Sequence, residues 1–138
     1  MAGVVVSGPG EGERAGDRGP LVKAFGEHSG SWSVVEGGLP PQTDGPPLHV
    51  HRSHGEGFYV ISGTLTLLLE DGDREVTAGS YAYCPPGVVH GFANRAAEPV
   101  RFLGISHPGI ERMLIEMSGA SSLDEVREIA GRYDSDFA

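Results

Sequence analysis

The chain lacks most of what would let it grip nucleic acid, cross a bilayer or cross-link itself. One cysteine, Cys84, stands in 138 residues, so no intrachain disulfide can form and a reducing compartment is expected, with the cytoplasm as the location. Lysine and arginine total 10 against 19 Asp and Glu, a formal charge of -9. Such a chain cannot supply the clustered cations that replace counterions on a phosphate backbone or an anionic membrane, and neither is expected as a partner. Apolar stretches such as 4–6 and 65–69 fall far below the roughly 20 residues that span a bilayer. No cationic and apolar leader pattern opens the sequence.

Glycine (22) and proline (10) are plentiful, which suits many short strands joined by turns and not long helices. The length is that of one domain with one core. Residues 4–6 (Val-Val-Val) read as a short strand, and the Gly- and charge-rich stretch 7–20 as a mobile loop. Strands are expected at 21–25 and 31–35, then a proline-rich loop over 37–47 and a strand entering at Leu48. Residues 58–69 are β-branched and aromatic except at Ser62-Gly63, which predicts two strands about a bend. An Asp71-Gly72 turn predicts a hairpin into 74–77, and 81–84, 90–94 and 100–106 supply three more strands. That many strands in so short a chain mean an all-β sandwich or barrel.

After about residue 107 the period changes. Ile110, Met113, Leu114 and Met117 mark one helix face, and Ser122 with Glu125 reads as a capping box before a second face of Leu123, Val126, Ile129 and Ala130. The expected organisation is a single domain over 1–138, with a barrel core at about 21–107 and two short helices in about 108–134, packed outside the barrel or on a partner subunit.

The chemistry gathers in residues 48–63, LHVHRSHGEGFYVISG. His49 and His51 are two apart, so on a strand both imidazoles face one side. Such a pair alone says little, since His-x-His arises by chance. Glu56 can return to the same face after a turn at 52–55, and His90 opens another strand after Pro85-Pro86-Gly87. Three imidazoles and a carboxylate suit one divalent transition metal ion, Fe, Mn, Ni, Co, Cu or Zn, with coordination positions left open for water, dioxygen or substrate. Phe58 and Val60 share parity with Glu56, and Phe92 with His90; these three are expected to line the cavity beside the metal as substrate-binding walls, a reading that plain core packing fits equally well. His54 reads as a turn residue aimed away from the cavity, His28 and His107 as isolated, and Cys84 as a buried inert thiol.

These residues resemble the paired signature of the cupin superfamily. The first stretch is His49-x-His51, four residues, Glu56, six residues and Gly63; the second is Gly79, five residues, Pro85, one residue, Gly87, two residues, His90, three residues and Asn94. The fifteen residues between Gly63 and Gly79 match the compact spacing of small single-domain bacterial cupins. One position departs, with Thr43 where the family usually has Gly, which touches only the shape of the entry loop. The resemblance implies an antiparallel jelly-roll barrel, a double-stranded β-helix, with the metal near its wider mouth. It looks like the quercetin 2,3-dioxygenase-like cupins, in which the residue at the position of Glu56 also accepts a proton from a substrate hydroxyl.

The implied function is a metal-dependent dioxygenase acting on a hydroxylated aromatic or enolisable small molecule. The alternatives are a non-redox isomerase, decarboxylase or polyketide cyclase using the metal as Lewis acid, and, ranked last, a non-catalytic ligand-binding cupin. A homodimer is expected, with the 4–6 strand swapped onto the partner's sheet.

Overall fold

Alternating burial along the chain explains most of the strands. The structure is a computed structural model that describes residues 3–138, apart from the side chains of Glu27 and His28. In chain order the elements are β1 (Glu13–Arg14), β2 (Leu21–Ala24), α1 (Gly26–Ser29), β3 (Ser33–Leu39), β4 (Thr43–Asp44), β5 (His49–His51), β6 (Glu56–Ser62) and β7 (Thr64–Leu69). They continue with β8 (Arg74–Thr77), β9 (Tyr81–Cys84), β10 (His90–Asn94), β11 (Val100–Ser106), α2 (Ile110–Ser118), α3 (Leu123–Arg132) and β12 (Ser135–Phe137). In β11, Val100, Phe102, Gly104 and Ser106 are buried while Arg101 and Ile105 face out, the period of two of a half-buried strand.

All strand pairs are antiparallel and fall into two sheets, β1-β2-β3-β11-β6-β9 and β12-β5-β10-β7-β8, with β4 beside β10. This is the jelly-roll, and its interior is plugged at one end by Phe58, Val60, Leu65, Leu67, Val76, Val100 and Phe102. Each such side chain contributes about 1.5–3 kcal/mol by leaving water. Gly63 makes the bend between β6 and β7 with φ of 78°, and a Cβ there would run into the Pro99 carbonyl, so the motif glycine answers a close backbone approach. Asn94 is fully buried; its Nδ2 donates to the carbonyls of Leu39, Pro40 and Glu98, and its Oδ1 accepts from the Ala96 amide. That motif residue ties three loop ends together.

Several expectations are corrected. Within the single chain Val4, Val5 and Val6 form no strand and stand 81–95 % exposed. The 7–20 stretch is not a free loop: β1 pairs with β2, Ala15 is buried, and Lys23 Nζ donates to the carbonyls of Gly8 and Glu11 at 2.6 and 2.8 Å. β3 runs on through Gly37 to Leu39, where a loop was expected, because β11 pairs along its whole length. Ser122 caps α3 by accepting from the Glu125 amide at 3.1 Å, but the Glu125 carboxylate turns to Ser121, and Leu123 lies 77 % exposed off the buried face. The helices do not lie on the barrel's outside. Ile110, Met113 and Ile129 pack together, while Met113, Leu114 and Met117 form one wall of the interior cavity.

A carboxylate holds that arrangement in place. Glu111, 1 % exposed, accepts from the amides of Gly26 and Gly109 at 2.9 and 3.1 Å, fastening α2 to the turn after β2. No helix among the described residues is long and apolar enough to cross a membrane.

Candidate metal centre

β5 presents His49 and His51 inward, both buried, because two residues of strand return to the same face. β10 lies beside it with His90 directly opposite His49, and β6 from the other sheet brings Glu56 across the interior. The ring centroids of His49 and His90 are 4.6 Å apart, those of His49 and His51 4.9 Å, and those of His51 and His90 5.5 Å. The Oε2 atom of Glu56 is 3.1 Å from His51 Nε2 and 3.0 Å from His90 Nε2.

The other ring nitrogens are tied down. His49 Nδ1–H donates to the Pro47 carbonyl at 2.7 Å and His90 Nδ1–H to the Val88 carbonyl at 2.9 Å, while His51 Nδ1 meets the Ser135 hydroxyl at 2.6 Å. Each imidazole thus turns Nε2 towards the others and towards a carboxylate oxygen. Such a set of lone pairs is repulsive unless a proton or a cation sits among them. One ligand atom from each of the four residues lies within 4.8 Å of all the others. Ligands about 2.0–2.2 Å from a single ion stand at most about 4.4 Å apart, so the cluster fits one divalent cation with adjustments of a few tenths of an ångström.

The electrostatics agree. Burial lowers the pKa of His49, outweighing its bond to Pro47, and leaves a neutral imidazole suited to ligation. Burial would raise Glu56, but hydrogen bonds from His51 and His90 overcome it and bring the carboxyl down to about 2. Burial would likewise lower His90, and its bonds to Glu56 and Val88 raise it instead. Their contact favours the charged pair in the metal-free protein, with a proton shared where an ion can sit.

Above the cluster opens a cavity of about 550 Å³ with walls that include Phe58, Phe92, Phe102, Phe137, Met113 and Leu114 and with His49, His51 and Glu56 at its polar end. Phe58, Phe92 and Phe102 meet edge-to-face at centroid distances of 5.3–6.0 Å. Phe58 and Phe92 thus reach the cavity as the strand parity predicted. Val60 does not: it is wholly buried in the core cluster, one strand step deeper than Phe58. Phe102, Phe137 and the α2 side chains escaped sequence reading because their position depends on which strands and helices close the mouth. Gly10, Arg14 and Arg18 of the N-terminal segment also border the cavity.

His54 stays outside the cluster and the cavity wall, as expected of the turn. Its ring stacks on His51 at 4.7 Å and on His107 at 5.7 Å, so His107 is not isolated. Burial followed by repulsion from His51 and His107 lowers its pKa, and its Nε2 is buried with no hydrogen-bond partner among the described residues. His28, given no role, has its side chain outside the described residues. Cys84 sits directly across from Glu56 on β9, and burial, with the nearby carboxylate, pushes its thiol up to about 11.

A two-sheet jelly-roll with a His3Glu cluster at the end of its interior defines a class of metal-binding β-barrel. Residues 35–106, more than half of the chain, match the Cupin domain family, and the protein belongs to it. The chain is 38 % identical over 89 residues to the quercetin 2,3-dioxygenase of Bacillus subtilis (strain 168), a match covering 60 % of this chain and 25 % of that protein. It therefore spans about a quarter of the length of this curated relative. Among solved structures, a conserved protein with a double-stranded β-helix domain from Klebsiella pneumoniae is 28 % identical, with a TM-score of 0.56 over 75 % of this chain and 84 % of that one. A sugar phosphate isomerase of the cupin superfamily from Silicibacter pomeroyi is 27 % identical, with a TM-score of 0.56 over 67 % of this chain and 61 % of that one.

Proposed function

We propose that the protein is a metal-dependent cupin enzyme, a dioxygenase acting on a hydroxylated aromatic or enolisable small molecule, with His49, His51, Glu56 and His90 as the ligands of one divalent transition metal ion. The observation that carries this reading is the convergence of three Nε2 atoms and one carboxylate oxygen at the polar end of a phenylalanine-lined cavity. A bound ion would supply Lewis acidity towards a substrate oxygen and, if redox-active, a route to dioxygen chemistry.

The chain's own residues do the rest. The edge-to-face rings of Phe58, Phe92 and Phe102 form an apolar wall that suits a flat aromatic body and excludes water. Glu56 Oε2 is engaged by His51 and His90, whereas Oε1 makes no hydrogen bond among the described residues. Oε1 is the atom that accepts the proton of a substrate hydroxyl, leaving an electron-rich enolate or phenolate for oxidation. The likeness to the Bacillus subtilis quercetin 2,3-dioxygenase supports this choice.

A second reading, an isomerase or other non-redox enzyme using the metal as Lewis acid, draws on the likeness to the Silicibacter pomeroyi sugar phosphate isomerase. The largely apolar walls favour the first reading, since a sugar needs hydrogen-bond partners along its length.

Elemental analysis of the purified protein beside His49→Ala and His90→Ala, followed by oxygen uptake with a panel of flavonols and catechols, tests the proposal. Stoichiometric Fe, Mn, Co, Ni or Cu lost in both variants, with oxygen consumption by the wild type, is the expected result. Activity retained with Zn under anaerobic conditions would transfer the protein to the non-redox reading.

A further inference from the structure

The C-terminal strand β12 lies beyond residues 35–106, the part matched by the family, yet it touches the metal centre. It pairs with β5 so that Ser135 stands opposite His51 and Phe137 opposite His49. Arg52 Nη2 donates to Asp136 Oδ2 at 3.1 Å, and the Arg52 amide donates to the Asp134 carbonyl, so the strand is held along its whole length. Ser135 is 4 % exposed and His51 3 %.

The hydroxyl of Ser135 has two neighbours. Its oxygen is 2.6 Å from His51 Nδ1, and it donates to the Tyr133 carbonyl at 3.2 Å. A hydroxyl has one hydrogen; with that hydrogen on a carbonyl that can only accept, the oxygen is left to accept from His51 Nδ1–H. The bond therefore keeps the Nδ1 proton and the ring plane of His51 in place, so that Nε2, which hydrogen-bonds Glu56 in the metal-free protein, is the nitrogen that would give up its proton and turn its lone pair to a bound ion.

His51 is the exception among the three histidines. His49 and His90 give their Nδ1–H groups to carbonyls two residues earlier in their own segments, which the local backbone supplies wherever the strand forms. His51 depends on a side chain 84 positions away. We propose that Ser135 is the positioning residue of His51, so that β12 belongs to the metal centre and retention of the ion depends on the C-terminal strand being docked. This rests on the metal-binding reading given above.

The test measures zinc affinity by competition with a chromophoric chelator for the wild type, Ser135→Ala and Ser135→Thr. Loss of an outer partner of a ligating histidine weakens metal binding by about 10–100-fold; that loss is expected for the alanine variant, and near wild-type affinity for threonine, which keeps the hydroxyl on a β-branched side chain suited to a strand. Equal affinity in wild type and Ser135→Ala, or no rescue by threonine in a folded variant, overturns the role of Ser135 while leaving the metal site standing. No zinc binding by the wild type overturns the metal reading itself. Nitrogen-15 NMR of the histidines in zinc-loaded wild type does not depend on any variant folding. His51 protonated at Nδ1 and shielded from exchange is expected, and His51 protonated at Nε2 would overturn the proposal.

Discussion

His90 Nε2 and Glu56 Oε2 stand 3.0 Å apart across the interior, one on β10 and the other on β6 of the opposite sheet. A proton and a metal ion compete for the space between them. Metal uptake near pH 6 should therefore release protons, and affinity should rise between pH 5 and pH 8 as His90 gives up a proton held above the ordinary 6.5. Calorimetric titration in two buffers of different ionisation heat measures the release, and uptake without protons would contradict the pairing.

Stability of the metal-free protein depends on pH through the same cluster. The raised His90 stabilises the fold fully below 6.5, and this contribution disappears as pH rises through its folded value. The depressed Glu56 contributes fully above 4.5, and its share is lost as pH falls towards about 2. The lowered His49 and His54 oppose His90, adding stability as pH rises through 6.5, so these histidine contributions partly cancel between pH 5.5 and pH 8, and the clear loss should come below pH 4.5 as Glu56 takes up its proton. Urea titrations of chelator-treated protein and of Glu56→Gln at pH 5.5 and pH 3 decide the point, the wild type losing more than the variant.

Glu56→Gln keeps the shape of the side chain and removes its charge. Turnover should fall by about 10²–10⁴-fold through loss of the proton acceptor, and the pKa of metal-free His90 should drop once its carboxylate partner is gone. Proton NMR titration of His90 checks the second effect independently of any substrate.

Asn94 belongs to the second motif but ligates nothing. Asn94→Ala would leave the carbonyls of Leu39, Pro40 and Glu98 without their shared donor and the Ala96 amide without its acceptor. Unsatisfied buried groups cost about 1–3 kcal/mol each, so denaturation midpoints should shift strongly downward while the folded fraction still binds one equivalent of metal. A folded variant that lost its metal would give Asn94 a role at the site.

Cys84 has a thiol held at about 11 and is 4 % exposed. At pH 8 only about one molecule in a thousand carries the thiolate that a disulfide reagent attacks. Native protein should be inert to such a reagent and yield one equivalent on unfolding in guanidinium, and rapid reaction of the native form would show that the thiol is reached from the cavity.

The metal cluster was legible from the sequence in two ways: strand parity gave the His49 and His51 pair, and the spacing of the cupin signature joined Glu56 and His90 to it. His49 and His51 must share a face wherever 49–51 is a strand, and the β-branched and glycine pattern around Gly63, Gly79 and Gly87 determines which segments are strands and where they bend. Phe58 and Phe92 followed from the same parity. The sequence by itself thus determined the barrel strands, the four converging side chains and two phenylalanines of the wall. Tertiary structure alone decided that Val60 sits in the core, that 7–20 pairs along β2 at the cavity rim, and that the C-terminal helices form a wall of the cavity and not an outer layer. It alone decided that a three-residue strand, Ser135–Phe137, too short to show any alternation, reaches back to His51. Periodicity records which way a side chain points from its own strand, whereas these placements depend on which distant segment arrives to cover it.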